Sequence, residues 1–292
     1  MRPFGMHLAY RPVRNGWQLG ARHGRMYTAP RSLFTIGAAA MMSLMALCGT
    51  ASAGVVAHYS FDADATTDSG GNGLDLNASG SVSLAAGQFG SAVNLDAGEY
   101  LWNASSLFNV STSDFAISFW YNTDSNAFSP MVTKTHTNSD LGYAIGHNGT
   151  NVSGDVRDTV GGVTTAARPG DDSTSFQHLV FQRTGSALEL YVNGVLADSA
   201  VAASTVDTSN AFVVGARNIS SGGAPNVGGG TFYYDGLIDE LWVFDNALTA
   251  IEIANLRDGN SLVADVPEPA GLALLGTGVL LLGARLRRRR AA

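Results

Sequence analysis

The sequence predicts an all-β domain, two antiparallel sheets packed face to face as a sandwich and closed by one short C-terminal helix. Three observations carry that class. Apolar residues in the middle of the chain alternate with a period of two, an Asn-Gly pair separates two such runs, and a single capped helical stretch follows the last of them.

In 114–122 (DFAISFWYN), Phe115, Ile117, Phe119 and Tyr121 point one way, while Ala116, Ser118, Trp120 and Asn122 point the other. Apolar groups on both faces make this a central strand. The runs 178–183 (HLVFQR) and 187–192 (ALELYV) are joined by Thr184-Gly185-Ser186, and Asn193-Gly194 then leads into 195–199. Asn-Gly supplies both positive-φ positions of a type I′ turn, the strongest short hairpin signal. Further strands are expected at 56–61, 92–95, 143–147, 212–216 and 237–244. Trp120 and Trp242 are expected in the core. Thr249-Ala250-Ile251-Glu252 is a capping box, in which the threonine takes a first-turn N–H and the glutamate reaches back. Ile251, Ile253, Ala254 and Leu256 supply an apolar face and Gly259 stops the helix, leaving 260–265 as linker.

Charge is segregated along the chain. Of 17 basic residues, Arg2, Arg11, Arg14, Arg22, Arg25 and Arg31 precede the first apolar run, and Arg285, Arg287, Arg288, Arg289 and Arg290 end the chain. Only Lys134, Arg157, Arg168, Arg183, Arg217 and Arg257 lie between, among all 24 acids. Basic ends with an acidic middle fit a chain whose ends stay inside the cell while the middle crosses the membrane. The acidity excludes nucleic acid as a partner. The only cysteine, Cys48, falls in the N-terminal apolar run, so the folded domain has no disulfide and no thiol chemistry. That run ends in Ala51-Ser52-Ala53 before Gly54, which reads as a signal peptide over 1–53, handled by the Sec machinery and cleaved after Ala53. The basic leader is long, and Met1 and Met26 are both possible starts. A domain over 54–259 is large enough for a full core.

The C-terminus is Pro267-Glu268-Pro269, a hydrophobic helix over 270–284, then the Arg-rich 285–290. As a helix the apolar run covers about 22 Å, short of a bilayer core of about 30 Å, a gap that snorkelling arginines reduce. An ordinary anchor in the inner membrane has this form. The three-part order of 266–292 resembles the PEP-CTERM sorting signals recognised by exosortases in exopolysaccharide-producing bacteria. That resemblance implies exosortase processing near Pro267-Glu268-Pro269, and a mature protein at the cell surface or released.

Blocks along the middle add up to a second resemblance. In order they are His58–Asp62 (HYSFD) with 68–73 (DSGGNG), 87–95 (GQFGSAVNL), 115–121, 188–194 (LELYVNG), and 235–241 (DGLIDEL) with Asn246-Ala247-Leu248 and the capped helix. The chain resembles the laminin-G-like branch of the concanavalin A-like jelly rolls, which implies two antiparallel sheets of six or seven strands. It also implies a structural calcium between the N-terminal loop and the last strands. Asp68 and Asn72 offer the oxygens that calcium takes, with Asp239 as partner from the far end of the chain and Asp62 as a weaker candidate. The competing reading makes Asp68 and Asn72 turn residues and Asp239 a carboxylate bonded to backbone amides.

Catalysis finds little support in the residues. Glycosidases need paired carboxylates, and here the nearest pair is Asp239-Glu240, adjacent residues that regular strand geometry sends to opposite faces. His58, His136, His147 and His178 are scattered, and His178 reads as structural. Sugars stack on exposed aromatic rings beside hydrogen-bonding side chains, which selects Tyr143, Arg157, Tyr233, Tyr234 and Trp102. The expectation is a non-catalytic surface protein that binds extracellular polysaccharide. A purely adhesive protein with protein partners is the alternative, and a hydrolase or lyase a more distant one.

Overall fold

The computed structural model describes residues 53–262, apart from 124–127, 136–140, 149–150, 158–162, 170–174, 202–207 and most of 219–232. The expected signal helix, Pro-Glu-Pro segment and C-terminal hydrophobic helix lie outside the described residues. Among the described residues no helix is long and apolar enough to cross a membrane.

The strands are β1 (Val55–Tyr59), β2 (Asn77–Ser79), β3 (Ser83–Ala86), β4 (Ser91–Leu95), β5 (Tyr100–Asn103), β6 (Phe115–Thr123), β7 (Phe128–Lys134) and β8 (Gly142–Asn148). They continue as β9 (Asn151–Arg157), β10 (Val163–Pro169), β11 (Gln177–Thr184), β12 (Ala187–Val192), β13 (Val195–Val201), β14 (Phe212–Val214) and β15 (Gly236–Phe244), before helix α1 (Ala250–Arg257). The first sheet holds eight strands in the order β13-β12-β11-β6-β15-β4-β3, with β1 also on β15, and the second holds seven, β10-β9-β8-β7-β14-β5-β2. This is the two-sheet antiparallel jelly roll with one short helix. The eighth strand of the first sheet exceeds the expected number because β15 takes two partners along one edge. Residues 236–238 pair with β4, and residues 241–244 pair with β1.

Alternation explains the inner faces. Phe115, Ile117, Phe119 and Tyr121 of β6 meet Tyr143, Ile145, Val152, Phe212 and Val214 of the second sheet in one core cluster. Trimming one such ring to alanine costs about 3–5 kcal/mol. The buried phenols keep partners: Tyr59 donates to the Leu74 carbonyl at 2.6 Å. The β6 side chains are buried almost throughout, as a central strand requires. Asn193 and Gly194 take φ of 51° and 80°, the left-handed pair of the expected turn.

Helix α1 lies on the outer face of the first sheet. Ile253 and Leu256 join Ala116, Val180, Trp242, Phe244 and Leu248 in a second cluster. Trp242 is therefore buried beneath the helix, not between the sheets. The capping box forms as expected, with both Thr249 and Glu252 engaged. Ile251, expected on the buried face, is instead 74% exposed. Helix geometry is the reason: Ile253 is two residues on, so the two cannot share a face.

Candidate functional site

Strand register lays one row of residues across the outer face of the second sheet. Asn77, Trp102, Val213, Thr133, Ala144, Asp155 and Thr165 are successive cross-strand partners from β2 to β10. Their chain neighbours Leu101, Val214, Val132, Ile145, Val156 and Ala166 all lie in the core, so the row itself faces outward. Small side chains fill its middle, with Trp102 towards one end and Asp155 towards the other.

Arg157 stands two positions after Asp155 on β9, on the same face. Its Nη2 is 3.9 Å from Asp155 Oδ2, while Asp155 Oδ1 accepts from the Thr165 hydroxyl at 2.7 Å. The Arg157 Nε is buried without a hydrogen-bond partner. The chain leaving β14 passes over the row. Thr133 donates its hydroxyl to the Ala216 carbonyl at 2.9 Å, and Ala216 pairs with Tyr233. Ala211, Val213 and Ala216 are buried here against Tyr100, Trp102, Val227 and Tyr233. Tyr233 stacks on Tyr100 with ring centres 6.4 Å apart and donates to the Val227 carbonyl.

That crossing brings Arg217 to Arg157. Burial first, and then the positive charge of Arg157, pull the Arg217 pKa down to about 10, with Asp155 opposing. Two of the six basic side chains of the central segment thus stand near one carboxylate, Asp155. The next residue, Asn218, is fully buried with both side-chain polar atoms unpartnered.

Of the residues expected to bind sugar, Arg157, Tyr233 and Trp102 lie on this face. Tyr143 and Tyr234 do not: they are 1% and 0% exposed. Tyr143 falls on the inward parity of β8 and donates to the Phe108 carbonyl, and Tyr234 donates to the carbonyls of Asn122 and Leu237. Arg217 and Asn218 carried no period-two signal, because they follow Gly215, whose φ of 84° breaks the strand.

The expected calcium ligands have other work. Asp68 Oδ1 accepts from the N–H groups of His58 and Gly70, and its Oδ2 from those of Asn72 and Leu74. The Asn72 amide nitrogen donates to the carbonyls of Val55 and Val56. A carboxylate that already accepts four N–H bonds fits the turn-residue reading of Asp68 better than that of a cation ligand. Among the described residues no three His, Cys, Asp or Glu side chains group to hold a metal. Asp239 and Asp62 both bind the loop 87–91 instead: Phe89 N–H donates to Asp239 Oδ2 at 2.9 Å, and Ser91 N–H to Asp62 Oδ1 at 3.0 Å. Asp239 Oδ1 is buried without a hydrogen-bond partner.

The same region corrects the expectation that Asp239 and Glu240 face opposite ways. A bulge interrupts β15 between Asp239 and Trp242, with Glu240 at a left-handed φ of 49°. Both acids therefore reach the outer face of the first sheet. Glu240 Oε2 meets His58 Nε2 at 2.7 Å and accepts from Trp242 Nε1 at 3.2 Å, under a His58–Trp242 stack of 3.4 Å. The bulge falls where β15 changes partner from β4 to β1, so strand pairing explains it. His178 bonds Ser118 Oγ through Nε2 at 2.9 Å, both side chains buried, as a structural pair.

An all-antiparallel sandwich of two large sheets closed by one short helix defines the concanavalin A-like class of jelly roll. A family model confirms it over residues 95–254, more than half of the chain, and the protein belongs to that family, Laminin_G_3, of the concanavalin A-like lectin/glucanases superfamily. A second match, over residues 265–290, is the PEP-CTERM protein-sorting motif, which marks an exported protein. Among curated proteins none matches significantly. Domain 4 of AbnA, a GH43 extracellular arabinanase from Geobacillus stearothermophilus, solved with arabinotriose, is similar at a TM-score of 0.56 and 22% identity, covering 70% of this chain and 99% of that one. The binding domain of Paraclostridial Mosquitocidal Protein 1 gives a TM-score of 0.58 and 18% identity, covering 70% of this chain and 52% of the other. The botulinum neurotoxin serotype G binding domain gives 0.56 and 14%, covering 70% and 50%. The chain thus spans about half the length of the toxin domains, and these likenesses show the fold.

Proposed function

We propose that this is an exported, non-catalytic surface protein that binds polysaccharide carrying acidic groups, through the outer face of its second sheet. The observation that carries the reading is Arg157 beside Asp155, with Arg217 close enough to feel the charge of both, next to a half-buried aromatic group of Tyr100, Trp102 and Tyr233. Planar guanidinium groups match carboxylates in two-point contacts, and aromatic rings take the apolar faces of sugars. The arabinotriose in the arabinanase domain supports sugar as the ligand class on this fold, and the sorting motif supports exosortase processing at the membrane before surface delivery. The exported protein is expected to bind a polyuronate and to ignore neutral dextran, with affinity falling steeply as salt rises. Equal binding to both polymers would contradict the acidic preference, and binding to neither would remove the glycan reading.

One observation favours protein partners as a second reading. The edge strand β13 leaves Val195, Leu196 and Val201 at 68%, 48% and 77% exposure. An apolar edge can extend a sheet into a neighbouring molecule. Capture of a specific surface protein, lost on Val201→Lys with glycan binding intact, would support it.

A further inference from the structure

Gly54 is held in a two-bond clasp. Its N–H donates to Asp245 Oδ1 at 2.8 Å, and its carbonyl accepts the Asp245 N–H at 3.0 Å. A Cβ at position 54 would stand 2.7 and 2.8 Å from the two Asp245 carboxylate oxygens, so a side chain there would push the carboxylate off the Gly54 nitrogen. Strand β1 starts one residue later, with Val55 paired to Phe244. Among the described residues Asp245 has no basic side-chain partner, and the cavity it lines contains a second acid, Asp114, and no base. An aspartate is thus aimed at one backbone nitrogen, and that nitrogen follows Ala51-Ser52-Ala53.

We infer that the Ala53–Gly54 bond is the one a signal peptidase hydrolyses, and that Asp245 is the docking site for the α-ammonium group this releases. In the hydrolysis, water adds its hydroxyl to the Ala53 carbonyl carbon and the C–N bond breaks. Ala53 leaves as a carboxylate, and both the remaining water proton and the one the new acid gives up end on the Gly54 nitrogen. The amide N–H bond to the Asp245 carboxylate becomes an ammonium–carboxylate ion pair, with both partners charged. Ala53 is 7% exposed in the folded domain, in the cluster with Phe244 and Leu248, so cleavage precedes folding. Processing then does more than detach the leader: it supplies the cation that fastens the first strand to the last.

The exported protein tests this directly, because its chemistry isolates the amine. The sequence has a single lysine, Lys134, which is 2% exposed with its Nζ on the Asn210 carbonyl, so mild acetylation reaches the α-amine selectively. Mass spectrometry is expected to find Gly54 as the first residue. Acetylation is expected to lower Tm by roughly 2–4 °C in low salt, less in 1 M NaCl, and not at all in Asp245→Asn. A different first residue, or an acetylated protein that melts unchanged, overturns the inference. Should Asp245→Asn fail to fold, the salt dependence in the unsubstituted protein decides, because a steric effect of the acetyl group would not shrink in high salt.

Discussion

Asp239 and His178 are buried ionisable residues of the first sheet, and they respond to pH in opposite senses. Burial, aided by Glu240 and opposed by the Phe89 N–H, raises the Asp239 pKa to about 7. The fold therefore favours the protonated acid, and its contribution is complete below the unfolded value near 4 and lost as pH rises through 7. Relative to Asp239→Asn, the unsubstituted protein should lose up to about 1.4 kcal/mol per pH unit across that window. A pH-independent difference in denaturant midpoints would show that the carboxyl is already ionised in the fold. Burial, with Arg257 adding and Asp258 opposing, lowers the His178 pKa to about 3. That contribution is present above the unfolded value near 6.5 and lost as pH falls towards 3. Its ring resonances should stay fixed from pH 8 to 4.5, and a titration near 6.5 would mean that the Ser118 pairing opens. The sequence revealed that His178 was structural, but not the fate of Asp239, because the bulge that redirects it leaves no mark on residue types.

Among elements, the ones legible in the sequence are those whose local chemistry settles the backbone. Asn193-Gly194 and the Thr249 capping box both form as read. Thr249→Ala should cost about 1 kcal/mol, seen as a Tm lower by a few degrees. Strand β9 was not legible, since Gly154 interrupts its alternation of Val152 and Val156. The structure explains that glycine by the Phe181 ring, which occupies the space a side chain would need. The loop 87–91 is an element fixed by distant acids: Gly90 has a φ of 61° and Asp62 where its Cβ would go. Gly90→Ala should destabilise by more than about 1 kcal/mol, and Asp62→Ala should recover part of that loss by removing the overlap. A neutral Gly90→Ala would mean that the clamp is loose.

At the scale of the molecule, the sandwich followed from alternation and block order, while the binding face could not. Period two says which residues share a side of one strand, yet the row from Asn77 to Thr165 exists only once seven strands are in register. Arg217 joins it through a crossing segment that no pattern announces, and Tyr143 and Tyr234 leave it by parity. Six bases among 24 acids between the two basic ends made any cationic spot notable, and the fold brings two of the six together. The most direct test is titration calorimetry of the exported protein with a polyuronate, comparing Arg157→Leu and Arg217→Leu with the unsubstituted chain. Affinity should fall at least tenfold in each, with the salt dependence reduced and the melting temperature little changed in Arg157→Leu. Undiminished binding in both variants would contradict the assignment of this face.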